Sequence, residues 1–196
     1  IRDRLRNMTD RRATHTQAPS FAFGLAARKF LSSPCRLRVD LSCLRHATNG
    51  AEPIRASDVD AFCSAFASHG LREDAVVATY GLAEHTVFVC RATAPKRREF
   101  DSTSLACDKI VPGRGTVLFG CGHCDDIELC IVRDRKRVSN GVGEIWVRSE
   151  SRARGYWRSV EASAETFGGW LEGEAPVAID EDGSVAPQGW LRTGDL

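Results

Sequence analysis

The sequence predicts an α/β fold in which a parallel βαβ layer precedes a smaller, β-barrel-like subdomain. Apolar runs over residues 44–48 and 75–79 indicate two buried strands, and a segment of helical periodicity lies between them. A strand–helix–strand order at this spacing favours parallel pairing. After residue 94, short apolar runs alternate with turn residues, which is typical of β-rich structure. We therefore expect an α/β part over 1–94 and a β-rich part over 95–196.

Length and composition narrow the class of protein. The 196 residues are 42% hydrophobic and 27% charged with a net charge of +1, which is ordinary for a globular chain and gives no reason to expect nucleic acid as a partner. No apolar run approaches the length of a membrane span. Residues 1–6 have no apolar core of a secretory signal behind them, so we expect a cytoplasmic protein.

Two helices are predicted before the first buried strand. Residues 1–17 are basic and polar, with five arginines in the first twelve, and predict a solvated helix face. Residues 20–31 predict a second helix that Pro34 ends, because apolar side chains recur at i, i+3, i+4 and i+7. This apolar stripe consists of Phe23, Ala26, Ala27 and Phe30.

The helix between the two buried strands has the clearest signals. Ser57 predicts its N-cap, and Asp60, three residues later, completes a pair that resembles a capping box. Gly70 predicts its end. Its apolar face, which we expect to cover the sheet, consists of Val59, Phe62, Cys63 and Phe66.

The remaining elements are shorter. Residues 87–90 predict a strand, residues 91–98 are polar and basic, and residues 100–114 have no clear period. Residues 159–167 predict a helix with Ser159 as its cap. Asn140-Gly141 is a strong turn signal between two strands of the β-rich part. The strands expected in that part cover residues 116–119, 127–132 and 143–147.

The stretch Tyr80-Gly81-Leu82-Ala83-Glu84 combines groups that suit a nucleotide. It follows the second buried strand directly, and open α/β sheets bind ligands at the carboxyl ends of their strands. The aromatic face suits the base, the glycine allows close backbone approach, and the carboxylate suits a magnesium ion beside the phosphates. The alternative is an ordinary strand end followed by the start of a helix.

Further stretches occur in a fixed order around this one. Asn49-Gly50-Ala51-Glu52-Pro53 lies upstream. Downstream come Gly143-Glu144-Ile145-Trp146-Val147-Arg148, then Gly155-Tyr156-Trp157, then Trp190-Leu191-Arg192-Thr193-Gly194-Asp195. Together with Gln17-Ala18-Pro19-Ser20-Phe21-Ala22-Phe23, they resemble the adenylate-forming enzymes, and most closely the fatty acyl-AMP ligases. The resemblance extends from Thr14 to Leu196.

The resemblance implies part of the N-terminal domain of an ATP-dependent enzyme that activates a fatty acid as acyl-AMP. The acyl group would pass to an acyl carrier protein or a polyketide synthase carrier domain. ATP and Mg²⁺ are the implied cofactors, with Glu84 as catalytic residue and magnesium ligand. Phe21 and Phe23 would border the acyl pocket, with plain core packing as the alternative. The implied nucleotide-binding residues are Asn49, Gly50, Ala51, Glu52, Tyr80, Gly81, Leu82, Ala83 and Asp195.

Several of these residues have ordinary alternatives. Glu84 can be an acid at a helix N-terminus, and Asp195, the implied ribose ligand, can be a turn aspartate. Ala83 stands where most of the superfamily has threonine, a departure typical of acyl-AMP ligases. His85 can contact phosphate, although a packed neighbour is the more common role of such a histidine.

Other functions stay open at this point. They are a non-catalytic acyl-nucleotide-binding or interaction module, a truncated AMP-binding domain, and an acyl-CoA synthetase. The resemblance implies a phosphate loop upstream and a lysine-bearing domain downstream, so we expect a fragment that forms no acyl-AMP alone. The interval 91–120 corresponds to an insertion that, in acyl-AMP ligases, packs against the small domain and hinders transfer to CoA.

Eight cysteines raise a separate question. Cys121 and Cys124, with Cys107 or Cys130, have the residue types of a zinc site. A lone C-x-x-C without a second pair is a weak signal, and buried or loop thiols are the expectation.

Overall fold

The computed structural model describes residues 1–32, 38–94, 96–124 and 126–196. The chain forms two compact units that interleave in sequence. The first unit comprises 1–80, 90–99 and 117–123, and the second comprises 81–89, 100–116 and 124–196. The division expected after residue 94 stays a prediction. Pro34, the predicted stop of the second helix, lies outside the described residues.

A sheet in the order β1-β2-β3-β4 forms the centre of the first unit. Its strands are β1 (His15–Ala18), β2 (His46–Asn49), β3 (Val76–Tyr80) and β4 (Cys90–Arg91). The first three run parallel, and β4 is antiparallel to β3. The expected parallel βαβ layer is therefore confirmed.

Two local expectations for this sheet are wrong. Residues 15–18 form a strand although 15–17 belong to the predicted solvated helix, because their polar sequence carries no apolar alternation. The strand predicted over 87–90 reduces to Cys90 and the residue after it. Val87 has a φ of +76°, which a β-branched residue adopts only under strain and which no strand allows.

Helices α1 (Arg2–Asp10), α2 (Ser20–Leu31) and α3 (Ala56–Phe66) complete the first unit. The bounds of α2 are those predicted, and its apolar stripe faces the core. Helix α1 is not simply solvated, because Leu5 and Met8 are buried in the same core. At the centre of the core, the rings of Phe23 and Phe62 meet edge to face at 5.0 Å.

The ends of α3 agree only partly with the predicted caps. Arg55 occupies the N-cap position, no side chain caps the helix, and Ser57 lies inside it. Asp60 pairs instead with Arg97 at 2.6 Å. The predicted stop is confirmed, because a 3₁₀ turn over Ala67–His69 ends at Gly70 with a φ of +83°.

The interval without a clear period is ordered. Strands β5 (Arg97–Asp101) and β6 (Gly115–Phe119) form a two-stranded sheet, and helix α4 (Ser102–Ala106) lies between them. The Asp101 carboxylate accepts a hydrogen bond from the Ser104 backbone N–H at 2.7 Å and caps this short helix. The strand expected over 116–119 is confirmed.

The second unit contains a four-stranded antiparallel sheet in the order β10-β9-β7-β8. Its strands are β7 (Glu128–Arg133), β8 (Lys136–Arg137), β9 (Glu144–Arg148) and β10 (Leu191–Arg192). The strands expected over 127–132 and 143–147 are confirmed. In the described residues β10 and β8 stay at the two edges, so this sheet is open where the sequence suggested a barrel.

The turns and the last helix of this unit also differ in detail. The tight turn joins β7 to β8 at Asp134 and Arg135, which have φ values of +50° and +63°. The sequence suggested that Asn140-Gly141 forms the turn between two strands. In the structure it lies in the longer connection between β8 and β9. Helix α5 (Val160–Phe167) is confirmed, but Ser159 makes no side-chain cap.

Of the helices within the described ranges, none has the length and apolarity that crossing a membrane requires.

Phe23 and Phe21 provide a matched test of this core because both belong to α2. Phe23 is 3% exposed and Phe21 is 51% exposed. We expect Phe23→Ala to lower the free energy of unfolding by about 3–5 kcal/mol because it leaves a cavity. Phe21→Ala should change it by only about 0.5 kcal/mol or less. Urea unfolding followed by circular dichroism measures both, and equal losses would contradict the packing described.

Candidate functional site

The carboxyl ends of β2 and β3 form one edge of the first unit. Asn49 is the last residue of β2 and pairs with Ala78 of β3, two residues before Tyr80 ends that strand. Because the two strands are parallel and adjacent, the stretch that begins at Asn49 and the stretch that begins at Tyr80 leave the sheet at the same edge. This is the position where open α/β sheets bind ligands.

Gly50 and Ala51 carry the backbone tightly past this edge. A Cβ on Gly50 would lie 2.5 Å from Cγ2 of Thr79 and 2.8 Å from its carbonyl oxygen, so only glycine fits. Ala51 follows in the left-handed region with a φ of +69°. The main chain is therefore the surface that this loop presents, since neither residue has a side chain beyond a methyl group.

Glu52 uses its side chain for the fold. Its Oε1 accepts a hydrogen bond from the Phe21 backbone N–H, in the first turn of α2, at 2.7 Å. In return, the hydroxyl of Ser20 accepts one from the Arg55 backbone N–H at 3.0 Å. These two bonds fasten the loop to the start of α2, where an acidic group is also favoured by the helix dipole.

Asn49 differs from its neighbours at this edge because its buried side chain makes no hydrogen bond to the described residues. It is 1% exposed, and neither its side-chain nitrogen nor its side-chain oxygen has a hydrogen-bond partner among the described residues. A buried carboxamide without partners costs free energy, and native structures rarely leave one without a reason. A donor and an acceptor side by side suit a ligand that offers the complementary pair.

The two aromatic candidates for the acyl pocket have different surroundings. Phe23 lines a partly open, mostly apolar cavity of about 40 Å³, whereas Phe21 does not. The cavity has room for a few water molecules. Its apolar wall consists mainly of Leu5, Met8, Ala22, Phe23, Ala26 and Phe62.

In the second unit, Gly81 allows the chain to turn sharply before Glu84. A Cβ on Gly81 would lie 1.6 Å from the carbonyl oxygen of Val87, so no other residue fits. The following residues form a single 3₁₀ turn over Ala83–His85. The Glu84 backbone oxygen accepts a hydrogen bond from the Ala153 N–H at 2.8 Å.

Tyr156 is the side-chain partner of Glu84. Its hydroxyl donates to Oε1 of Glu84 at 2.7 Å. This hydrogen bond, together with partial desolvation, raises the pKa of Tyr156 above its usual value near 10. The phenol is therefore a hydrogen-bond donor at neutral pH, and no described residue donates to the second oxygen, Oε2.

His85 is fully buried and both of its ring nitrogens face protein groups. Nδ1 lies 2.7 Å from the carbonyl oxygen of Phe88, and Nε2 lies 2.6 Å from the hydroxyl of Ser149. A carbonyl oxygen only accepts, so Nδ1 carries the proton and a neutral ring accepts from Ser149 at Nε2. This arrangement favours the packed-neighbour role of His85 over a phosphate contact.

The stretch that ends at Asp195 is fixed by β9. Thr193 donates its hydroxyl to the carbonyl oxygen of Ile145 at 2.8 Å, and the Ile145 N–H donates to the carbonyl oxygen of Asp195 at 2.9 Å. The Gly194 N–H donates to Oε1 of Glu144 at 3.1 Å. Backbone and side-chain hydrogen bonds therefore fix the main chain around Asp195, and Asp195 itself is exposed.

Glu84 offers one carboxylate oxygen that suits a magnesium ion. No cluster of three or more His, Cys, Asp or Glu side chains in the described ranges could hold a metal, and this includes the cysteine motif after β6. Proteins hold Mg²⁺ with one or two carboxylates together with substrate phosphates, so a single hard oxygen such as Oε2 fits that ion. Burial raises the pKa of the Cys121 thiol, which suits a packed cysteine.

Sequence reasoning did not assign Tyr156, Ser149 or Glu144 a role. Tyr156 and Glu144 belong to stretches that carried the resemblance, but their partners lie 72 and 50 residues away along the chain. A local pattern has no signal for such pairs. Ser149 had no signal at all.

Comparison with known proteins agrees with these observations. Residues 2–157 match the family described as AMP-binding enzyme. The long-chain-fatty-acid–AMP ligase FadD26 of Mycobacterium tuberculosis is 35% identical over 191 residues, covering 91% of this chain and 31% of that protein. The 4-hydroxyphenylalkanoate adenylyltransferase of Mycobacterium marinum is 34% identical over 190 residues, covering 91% and 29%.

A solved structure gives the same result. The fatty acyl-adenylate ligase from Legionella pneumophila, in complex with acyl adenylate and pyrophosphate, superposes with a TM-score of 0.81 and 26% identity. The alignment covers 95% of this chain and 36% of that one. This chain thus spans about a third of the length of the curated relatives that it matches. Since the family model covers most of its residues, the chain belongs to the AMP-binding enzyme family.

Proposed function

We propose that the chain forms part of an ATP-dependent fatty acyl-AMP ligase. The observation that carries the proposal is the edge of the first unit, where Asn49 and Tyr80 end two adjacent parallel strands in a chain of the AMP-binding family. The buried carboxamide of Asn49 has no hydrogen-bond partner in the part of the chain that the structure describes, as expected of a group that binds a ligand. A relative with 35% identity is a long-chain-fatty-acid–AMP ligase.

The proposed reaction joins a fatty acid to AMP. A carboxylate oxygen of the fatty acid attacks the α-phosphorus of ATP and forms a new P–O bond, while the bond to the oxygen that bridges the α- and β-phosphates breaks. Pyrophosphate leaves with that oxygen, and acyl-AMP remains. Both reactants are anions, so the protein must hold them together and balance the charge that develops. Mg²⁺, held by Glu84 as catalytic residue, would neutralise this negative charge when bound.

The nucleoside would be held by the remaining residues of the motifs. Tyr80 would stack on adenine, and the backbone of Gly50, Ala51 and Glu52 would lie along the ring. Gly81, Leu82 and Ala83 would line the phosphates of the nucleotide. Asp195 would accept hydrogen bonds from the ribose hydroxyls, since one carboxylate offers two acceptors. Phe21 and Phe23 would border the acyl pocket.

The product would pass to a carrier-protein thiol in the cytoplasm. An acyl-CoA synthetase is the second candidate, because it would share the adenylation step. The ordered β5–α4–β6 segment favours the carrier, because a packed insertion can stabilise one arrangement of a neighbouring domain at the expense of another. A non-catalytic nucleotide-binding module is the third candidate.

Asn49 provides a test that separates ligand binding from structure. We expect Asn49→Leu to raise the free energy of unfolding of the ligand-free chain by about 1–3 kcal/mol, because it removes an unsatisfied polar group at similar volume. The same change should weaken ATP binding about threefold or more, because leucine cannot make the hydrogen bonds that the carboxamide would form with the nucleotide. Thermal unfolding and calorimetric titration measure the two effects. A destabilised variant that binds ATP normally would argue against the proposed contact.

The proposed magnesium contact of Glu84 and ribose contact of Asp195 can be tested in a protein that contains this sequence and is as long as the relatives. Glu84→Gln should raise the magnesium concentration required for pyrophosphate release. Asp195→Ala should weaken ATP use about tenfold or more, since charged hydrogen bonds contribute about 1.5–3 kcal/mol each. Glu161→Gln, an exposed change in the first turn of α5, is the matched control. Normal magnesium and ATP dependence in both variants would exclude this location for the nucleotide.

The choice between carrier and CoA depends on the segment between β5 and β6. We expect replacement of residues 102–114 by Asn-Gly to raise acyl-CoA formation by that full-length protein about threefold or more, because it removes the barrier to the second domain arrangement. Acyl-AMP formation should change little. The measurement is acyl-CoA released from a fatty acid, ATP and CoA. Efficient acyl-CoA synthesis before any replacement would support the synthetase instead.

A further inference from the structure

Glu84 presents two unlike carboxylate oxygens. The Tyr156 hydroxyl donates to Oε1 at 2.7 Å, while no described residue donates to Oε2. The main chain of Glu84 is fixed as well, since its carbonyl oxygen accepts from the Ala153 N–H at 2.8 Å. The carboxylate is therefore held at one oxygen and open at the other.

Tyr156 is itself held in place. Its backbone N–H donates to the hydroxyl of Ser163 at 2.9 Å, and its ring packs edge to face against Phe167 at 5.1 Å. Phe167 is fully buried, and the guanidinium of Arg152 lies 5.7 Å from its ring centroid. Tyr156 is 37% exposed, so a rigid phenol stands at the surface with its hydroxyl on Glu84.

We propose that Tyr156 limits Glu84 to one metal-binding oxygen and thereby makes the site select Mg²⁺ over Ca²⁺. Ca²⁺ takes six to eight oxygen ligands and accepts a carboxylate through both oxygens. Mg²⁺ requires a near-ideal octahedron, and a single carboxylate oxygen beside phosphates and water meets that requirement. When Oε1 is hydrogen-bonded to Tyr156, Oε2 still provides the single oxygen ligand that Mg²⁺ needs. The two-oxygen coordination that favours Ca²⁺ is lost. Tyr156 is a positioning residue, and this role rests on the proposed function, in which Glu84 binds the metal.

The test compares two metals with the full 196-residue chain. Calorimetry measures binding of an ATP analogue with a methylene group between the α- and β-phosphorus atoms, in Mg²⁺ and then in Ca²⁺. We expect the unchanged chain to bind the magnesium complex about tenfold more tightly. Tyr156→Phe keeps the ring on Phe167 and frees Oε1, so it should lower this ratio to about threefold or less, mainly by tightening the calcium complex.

Trp157→Phe is the matched control, because Trp157 is the neighbouring residue and is 80% exposed. The ratio of magnesium-complex to calcium-complex affinity should be the same in the Trp157→Phe variant as in the unchanged chain. If the Tyr156→Phe variant does not fold, Tyr156→Leu replaces it, since it also removes the hydroxyl that donates to Oε1 and leaves the Glu84 carboxylate unchanged. Equal weakening of both complexes, or an unchanged ratio, would overturn the role of Tyr156.

A metal-independent ligand separates this inference from the proposed function. An acyl-adenylate analogue with a sulfamate in place of the phosphate lacks the β- and γ-phosphates that Mg²⁺ accompanies in ATP. Binding of this analogue by both the unchanged chain and the Tyr156 variant, with a reduced metal ratio only in the variant, supports both proposals. Binding with no difference in the ratio overturns the inference alone. No binding by the unchanged chain overturns the proposed function, and the inference with it.

Discussion

The close approach of the chain after β2 to the end of β3 is the constraint on which the first unit depends. Parallel pairing places Asn49 beside Ala78, and the absent side chain of Gly50 lets the loop pass against Thr79. Any larger residue would push the loop away and separate the two carboxyl ends. The bonds of Glu52 and Ser20 then fix the start of α2 to the same loop. One glycine thus couples sheet, loop and helix.

The sequence predicts those elements whose signal is local. The stripe of α2 and the apolar face of α3 specify helices because each buries the positions that the 3.6-residue period brings together. Strand β1 was not predicted because its residues are polar. It forms by pairing with β2, and a local sequence pattern contains no signal for that pairing. The cap predicted at Ser57 is wrong because α3 begins at Ala56, with Arg55 at the N-cap position and no side-chain cap.

The candidate site divides in a similar way. Glu84 can be found from a short motif, but its partner Tyr156 lies 72 residues later and becomes visible only in the folded unit. The structure also separates side chains that serve the fold from those that remain available. Glu52 has one carboxylate oxygen bonded to the backbone, whereas His85 has both ring nitrogens and Glu144 both carboxylate oxygens on protein groups. Within the described ranges, the carboxamide of Asn49 has no hydrogen-bond partner and Oε2 of Glu84 receives no hydrogen bond, so both groups remain available to a ligand.

Arg152 gives the second unit a permanent cross-link without a disulfide or a metal. Its buried guanidinium donates to the carbonyl oxygens of Phe167, Val185 and Ala186, which ties the end of α5 to the acidic connection before β10. Burial lowers the pKa of Arg152, yet a guanidinium stays charged throughout the physiological range. Oxidation state, chelators and ordinary changes of pH therefore leave this link intact, whereas a lysine could not reach the three acceptors in one plane.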